Sequence, residues 1–141
     1  MMGFELLERP QTEGLSARIH ALVRGLVTNM NRSTYSPVTT RSLANKVGEG
    51  KRLDSLIAEW NTDSLSDPDR VILEFALKAT RSTYKITEKD AQEFRDNGLN
   101  DEVYVDVLNT VAIQTSHDRL ANCLGISADS LPILTSQEAA Q

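Results

Sequence analysis

The stretch LSARIHALVRGLVTNM, residues 15–30, places a large apolar side chain at every third or fourth position. The repeated residues are Leu15, Ile19, Leu22, Val23, Leu26, Val27 and Met30. Because an α-helix turns once in about 3.6 residues, this spacing puts all of them on one face. Gly25 lies inside the pattern at a cost of about 1 kcal/mol relative to alanine, which indicates close packing of another helix there. The stretch predicts a helix that packs one face into a core.

Turn and capping signals divide the following sequence into two shorter helices. The polar segment NRSTYS, residues 31–36, predicts a turn. Ser36 before Pro37 is typical of a cap and a first helical position, and that helix is expected to run to about residue 46. The next helix is predicted at 51–60. Its inner side is expected to carry Leu53, Leu56, Ile57 and Trp60.

Three more helices are predicted in the second half of the chain. One begins at Ser66 or Asp67, and another follows Thr87, which forms a near capping box with Asp90. Asn100 is expected to cap a last helix over 101–124, which Gly125 ends. The segment VYVDV, 103–107, alternates like a strand but lies in a longer apolar run, which favours a buried helix. Since apolar residues cover more than one side, this helix is expected in a core or at a subunit contact.

The helix pattern predicts one all-α domain of about six helices over 1–141, with an N-terminal arm at 1–13 and a peripheral tail at 128–141. The net charge of −5 and the absence of a basic run argue against nucleic-acid binding. No apolar stretch is long enough for a membrane span, and the first residues lack the pattern of a signal peptide. A single cysteine excludes an internal disulfide. We therefore expect a cytoplasmic protein with no metal and no cofactor.

The region from Leu53 to Ile126 resembles the alkylhydroperoxidase AhpD-like, or carboxymuconolactone decarboxylase, superfamily, and most of all its short peroxidase-related members. The matching positions are Leu65, Ser66, Arg70, Leu73, Ala76, Leu77, Lys78, Thr80, Thr87, Asp90, Gly98, Leu99, Arg119, Leu120, Ala121, Leu124 and Gly125. With the first long helix included, the likeness covers most of the chain. The resemblance implies an AhpD-like helical bundle and a homo-oligomer, with a trimer or hexamer favoured and a dimer as the alternative.

Thiol-active members of this superfamily carry a Cys-x-x-Cys-x-x-x-His motif after the first long helix and a glutamate on that helix. One thiolate attacks peroxide, the second cysteine resolves the sulfenic acid, and the histidine moves protons. Here Ser33 and Ser36 stand at the two cysteine positions and Thr40 at the histidine. Ala21 falls near the expected glutamate, with His20 beside it. A serine hydroxyl does not cycle through sulfenic acid, so the resemblance implies a disarmed peroxidase site.

Two groups of residues are candidates for a different site. In the superfamily the first and last helices line a pocket, so His20, His117 and Asp118 could bind a ligand or act as acid and base. Ordinary hydrogen bonding on a helix surface is the alternative for each. The second group is a hydroxyl-rich helix start, formed by Ser33, Tyr35, Ser36 and Thr40. With Arg32 or Arg41 it could hold a small anionic or organic ligand, or it could be a plain capping turn.

Cys123, the only thiol, lies near the end of the last helix. A free cysteine is often a buried small apolar residue, and a helix C-terminus does not stabilise a thiolate. The favoured hypothesis is a redox-inactive pseudoenzyme of the AhpD-like superfamily that acts as an oligomeric ligand-binding or scaffold protein. The first alternative is a peroxidase-like antioxidant oxidoreductase that uses Cys123 or a partner thiol. The second is a non-thiol acid–base enzyme of the carboxymuconolactone decarboxylase type.

Overall fold

The computed structural model describes residues 14–126, and within that range every regular element is helical. The six α-helices are α1 (Ala17–Met30), α2 (Ser36–Lys46), α3 (Gly50–Glu59), α4 (Asp67–Arg81), α5 (Glu88–Asp96) and α6 (Asp101–Leu124). A short 3-10 turn, Thr83–Lys85, joins α4 to α5. The prediction of an all-α bundle of about six helices is confirmed, including a helix rather than a strand over 103–107. The predicted arm at 1–13 and tail at 128–141 lie outside the described residues.

Helix α1 is the central element, because it packs against α2, α3, α4 and α6. It runs parallel to α6, since Leu15 contacts Asp106 near the start of both helices and Thr28 contacts Asp118 further along. The core between the helices is apolar, with Leu22, Val23 and Val27 fully buried on α1. A Cβ added at Gly25 would meet the Leu53 side chain at 2.6 Å, so this glycine does mark the close approach of another helix, α3.

Most helix starts follow the capping signals in the sequence. The Ser66 side chain accepts from the Asp69 N–H, Asn100 accepts from the Val103 N–H, and Thr87 with Asp90 forms a capping box. The prediction of Ser36 as a cap is wrong, because Ser36 is itself the first residue of α2. The N-cap position is Tyr35, which makes no side-chain capping bond, and it is the Ser33 hydroxyl that accepts from the Ser36 N–H, at 3.1 Å. The hydroxyl three residues earlier is therefore better placed to satisfy the unpaired N–H groups of the first turn.

On two helices, α3 and α6, the burial of apolar residues differs from what the sequence pattern predicts. On α3, Leu53 and Leu56 are buried as expected, but Ile57 is 42% exposed, so it is wrong to place it on the inner side. On α6 the buried side is a single stripe that faces α1 and α4. Its outer side stays in water, with Val105 and Leu120 more than half exposed. Burial against the other described helices thus accounts for only one side of α6.

Candidate functional site

The turn where the sequence resemblance predicts the cysteine motif lies between α1 and α2, and its hydroxyl groups form hydrogen bonds within the turn. Ser33, Ser36 and Thr40 are 8%, 4% and 2% exposed. The Ser33 hydroxyl accepts from the N–H groups of Tyr35 and Ser36, at 3.3 and 3.1 Å, while the Thr40 hydroxyl donates to the Pro37 carbonyl at 3.3 Å. Within residues 14–126, these three side chains make no hydrogen bond to one another. Their contacts are those of a capping turn, not of an assembled nucleophile.

The same turn is tied to the end of α6. The Thr34 N–H donates to Asn122 Oδ1 at 3.2 Å, and the Thr34 hydroxyl donates to the Ile126 carbonyl. Asn122 in turn donates to the Asn31 carbonyl at 3.2 Å. Arg32 adopts the left-handed conformation, with φ of 53°, which bends the chain sharply between α1 and α2. The N–H groups of Thr34, Tyr35 and Ser36 are therefore already engaged, and Pro37 has none to offer an anion.

A buried carboxylate lies directly beneath this turn, between α1 and α6. Asp118 is fully buried and accepts three hydrogen bonds. Thr28 Oγ1 donates to Asp118 Oδ1 at 2.7 Å, Gln114 Nε2 donates to the same oxygen at 2.9 Å, and Asn31 Nδ2 donates to Oδ2 at 3.0 Å. A buried carboxylate is tolerated only when such donors replace its water. All three partners are donors, so the arrangement suits a structural anion and offers nothing to a metal ion.

Arg24 is the positively charged residue of this network, and it is linked to Asp118 through the side-chain amide of Gln114. Arg24 Nε donates to Gln114 Oε1 at 2.9 Å, and Gln114 Nε2 donates in turn to the Asp118 carboxylate. Four residues of this network are not among the predicted site residues: Arg24, Gln114, Thr28 and Asn31. The available signal was a pair of polar residues four apart, Gln114 and Asp118, on the side of α6 that is otherwise buried. Such residues are expected to pair with polar positions on a facing helix.

His20 lies on the same α1–α6 seam but nearer to its beginning. Burial of the ring, and secondarily the charge of Arg24, lower the pKa of His20 to about 4, while the Asp106 carboxylate opposes the shift. The imidazole is therefore neutral near pH 7. His20 precedes Thr28 by two turns, about 12 Å along the axis. The structure thus separates His20 from the Asp118 carboxylate instead of bringing the two into one acid–base pair.

The remaining predicted positions are distributed around this seam. Ala21 is fully buried, so the position near the expected glutamate belongs to the core. Tyr35 and His117 are half-buried, and His117 directly precedes Asp118 on α6. Arg41 donates to Asn45 at 3.1 Å and pairs with Asp54, so its charge is directed to α3. Arg32 is exposed on the turn.

Cys123 is exposed, which corrects the expectation of a buried apolar thiol. Cys123 lies on the last turn of α6, next to Asn122. The contacts with the turn between α1 and α2 are made by Asn122. In the part of the chain that the structure describes, no group of three or more His, Cys, Asp or Glu side chains could hold a metal ion. Among the helices of residues 14–126, none combines the length and the apolarity needed to cross a bilayer.

The fold is similar to two solved structures. One is an uncharacterized peroxidase-related protein from a Silicibacter species, with a TM-score of 0.78 and 23% identity over 87% of this chain and 64% of that one. The other is described as an alkylhydroperoxidase AhpD core, an uncharacterized peroxidase-related protein from Ralstonia eutropha. Its TM-score is 0.71, with 19% identity over 86% of this chain and 65% of that one. The chain matches no protein-family model and no curated protein.

The fold is AhpD-like. This confirms the resemblance inferred from the sequence at the level of architecture: the ordered set of caps, turns and core positions does describe this helical bundle. The chain spans about two thirds of the length of the two solved structures. Positions 33, 36 and 40 of this chain are serine, serine and threonine.

Proposed function

We propose that this chain is a redox-inactive AhpD-like protein, in which the peroxidase site has become a structural turn and the bundle acts as an oligomeric binding or scaffold protein. The observation that carries this proposal is the use of Ser33. Its hydroxyl caps α2, is buried, and accepts two backbone hydrogen bonds. A group committed in this way supplies no nucleophile, and neither Ser36 nor Thr40 supplies a thiol or an imidazole. A cytoplasmic location accords with the absence of disulfide chemistry.

Peroxide consumption in the presence of a dithiol reductant tests this proposal. We expect no turnover above the rate of free thiol by the unmodified chain. The triple variant Ser33→Cys/Ser36→Cys/Thr40→His restores the motif residues, and its gain of activity would show that the frame of the site persists. Ser33→Cys/Ser36→Cys without the histidine is the matched control. Rapid turnover by the unmodified chain would contradict the proposal.

An exposed Cys123 favours one alternative, a one-cysteine oxidoreductase. Peroxide and a partner thiol can both reach this side chain, whereas a buried thiol would be shielded. Against it stands its location on the last turn of α6, where the partial negative charge of the helix terminus disfavours a thiolate. Cys123→Ala in the same assay separates the two functions. Activity that disappears with this substitution would replace the redox-inactive function by the one-cysteine mechanism.

A further inference from the structure

Among residues 14–126, the outer side of α6 carries several exposed apolar side chains. Val105, Leu120 and Leu124 expose 51%, 57% and 70% of their surface. Ala112 lies between them and is exposed as well. A single exposed apolar residue is ordinary on a protein surface, but several along one helix indicate a contact with another molecule. The helix is also capped at both ends and has 24 residues, so it offers a straight face about 36 Å long.

Charges at the two ends of this face have opposite signs. Residues 18 positions apart lie at the same angle on a helix, since 18 residues make about five turns. Asp101 and Arg119 are related in this way, as are Glu102 and Leu120. The face therefore begins with carboxylates and ends with a guanidinium on the same side. Both carboxylate oxygens of Asp101 accept from Arg95, at 3.0 and 3.3 Å, and because 71% of the Asp101 side chain is exposed, a second cation can still approach it.

We propose that the outer face of α6 packs against the same face of a second copy of this chain, with the two helices antiparallel. This inference rests on the oligomeric part of the proposed function. A two-fold axis near the middle of the helix pairs Asp101 of each copy with Arg119 of the partner subunit, twice by symmetry. A parallel pairing would instead place equal charges side by side. Ala112, close to the axis, is small enough for the two backbones to approach.

The strength of the contact is tested by mass measurement in solution, with sedimentation velocity at protein concentrations up to about 100 μM. We expect an even-numbered assembly, either a dimer or a hexamer that contains this two-fold contact. Leu120→Glu should raise the dissociation constant of that contact at least tenfold. The matched control is Ile57→Glu, which charges an exposed apolar residue on α3 and should leave it unchanged. A monomer at every concentration, a trimer, or insensitivity to Leu120→Glu would overturn the proposal.

Charge reversal tests the pairing of the two ends. Arg119→Glu should weaken the association, most of all at low salt, because it sets two carboxylates against each other. The double variant Asp101→Lys/Arg119→Glu should recover association, since both ends change sign together. Thermal unfolding of each variant checks that α6 remains folded without Asp101. Equal weakening by the single and double variants would contradict an Asp101–Arg119 contact.

Disulfide formation tests the direction of the helices. In the antiparallel arrangement the two Cys123 thiols lie more than about 30 Å apart, so mild oxidation of the unmodified chain should not link them within the dimer. In the background Cys123→Ser, the pair Val105→Cys/Ser116→Cys should give a covalent dimer, and neither single cysteine should. A Cys123 disulfide within the assembly would show parallel helices and overturn the proposal. Peroxide turnover is measured in a separate assay. If the α6 contact proves wrong, that assay still decides whether the chain is redox-inactive.

Discussion

The tetrapeptide Arg-Ser-Thr-Tyr occurs twice in this chain, at 32–35 after α1 and at 81–84 after α4. In the first copy, Ser33 is buried and caps α2, and Tyr35 is half-buried. In the second copy, Ser82 makes no side-chain capping bond, and Tyr84 is 82% exposed. Four identical residues therefore form a packed turn in one place and a surface turn in the other.

What differs is the chain around the two copies. The first is followed by Ser36 and Pro37, so a helix begins at once and needs a cap, whereas Thr87 caps the helix after the second. The first copy is also bound by residues that are distant in the sequence. Thr34 bonds to Asn122 and Ile126 at the end of α6, while Thr83 donates to the Ala79 carbonyl of the preceding helix, α4, at 2.9 Å. Long-range anchors, not the tetrapeptide, determine the packed form.

Asp118 is the fully buried residue that holds the first turn, and its removal should lower the free energy of unfolding the most. Asp118→Ala deletes the acceptor of Thr28, Gln114 and Asn31 and leaves buried donors without a partner. We expect the free energy of unfolding to fall by about 3 kcal/mol. Thr80→Val is the matched control beside the second turn, because the Thr80 hydroxyl bonds only to Ala76 in its own helix, and it should cost under about 0.5 kcal/mol. Urea denaturation measures both, and equal losses would remove the distinction between the turns.

Acidification should also weaken α1, the helix before the first turn. The pKa of His20 is lowered to about 4 in the folded chain, from 6.5. Since the unfolded chain then binds the extra proton first, stability is complete above pH 6.5 and falls as the pH drops toward 4. Because the ring is partly in contact with water, we expect a loss of about 1–2 kcal/mol from this group. His20→Gln should flatten that part of the pH profile of urea denaturation, and an unchanged slope would contradict the assignment.

The serines of the two tetrapeptides, Ser33 and Ser82, provide a comparison of intermediate size. Ser33→Ala removes the acceptor for the first N–H groups of α2 and should cost about 1 kcal/mol. Ser82→Ala, at the same place in the second tetrapeptide, should change stability by less than about 0.5 kcal/mol. Denaturation midpoints of the two variants, measured in parallel, give the difference. If Ser82→Ala is the more damaging, the assignment of the cap to Ser33 fails.

These pairs also show which parts of the structure could be predicted from the sequence. The apolar face of α1 and the caps at Ser66, Thr87 and Asn100 depend on residues within a few positions, so the pattern alone sufficed. The spacing of Gln114 and Asp118 signals a buried polar pair, but its partner Thr28 on α1 could not be identified, because Thr28 lies ninety residues away and only packing brings the two helices together. For the same reason, the exposed side of α6 could not be predicted. The helix is apolar on most sides, and only the position of α1 decides which side is buried.

The smallest effect should come from the two threonines, and its location matters more than its size. Thr34→Val deletes the bond to the Ile126 carbonyl and should cost about 0.5 kcal/mol, and Thr83→Val should cost no more. The Thr34 bond joins the turn to α6, whereas the Thr83 bond joins the second turn to the end of α4, four residues earlier in the chain. Thr34→Val should therefore speed amide hydrogen exchange at Gly125 and Ile126, and Thr83→Val should do so only near Ser82 and Lys85. Faster exchange at the end of α6 in both variants would mean that the second turn, too, is anchored from outside.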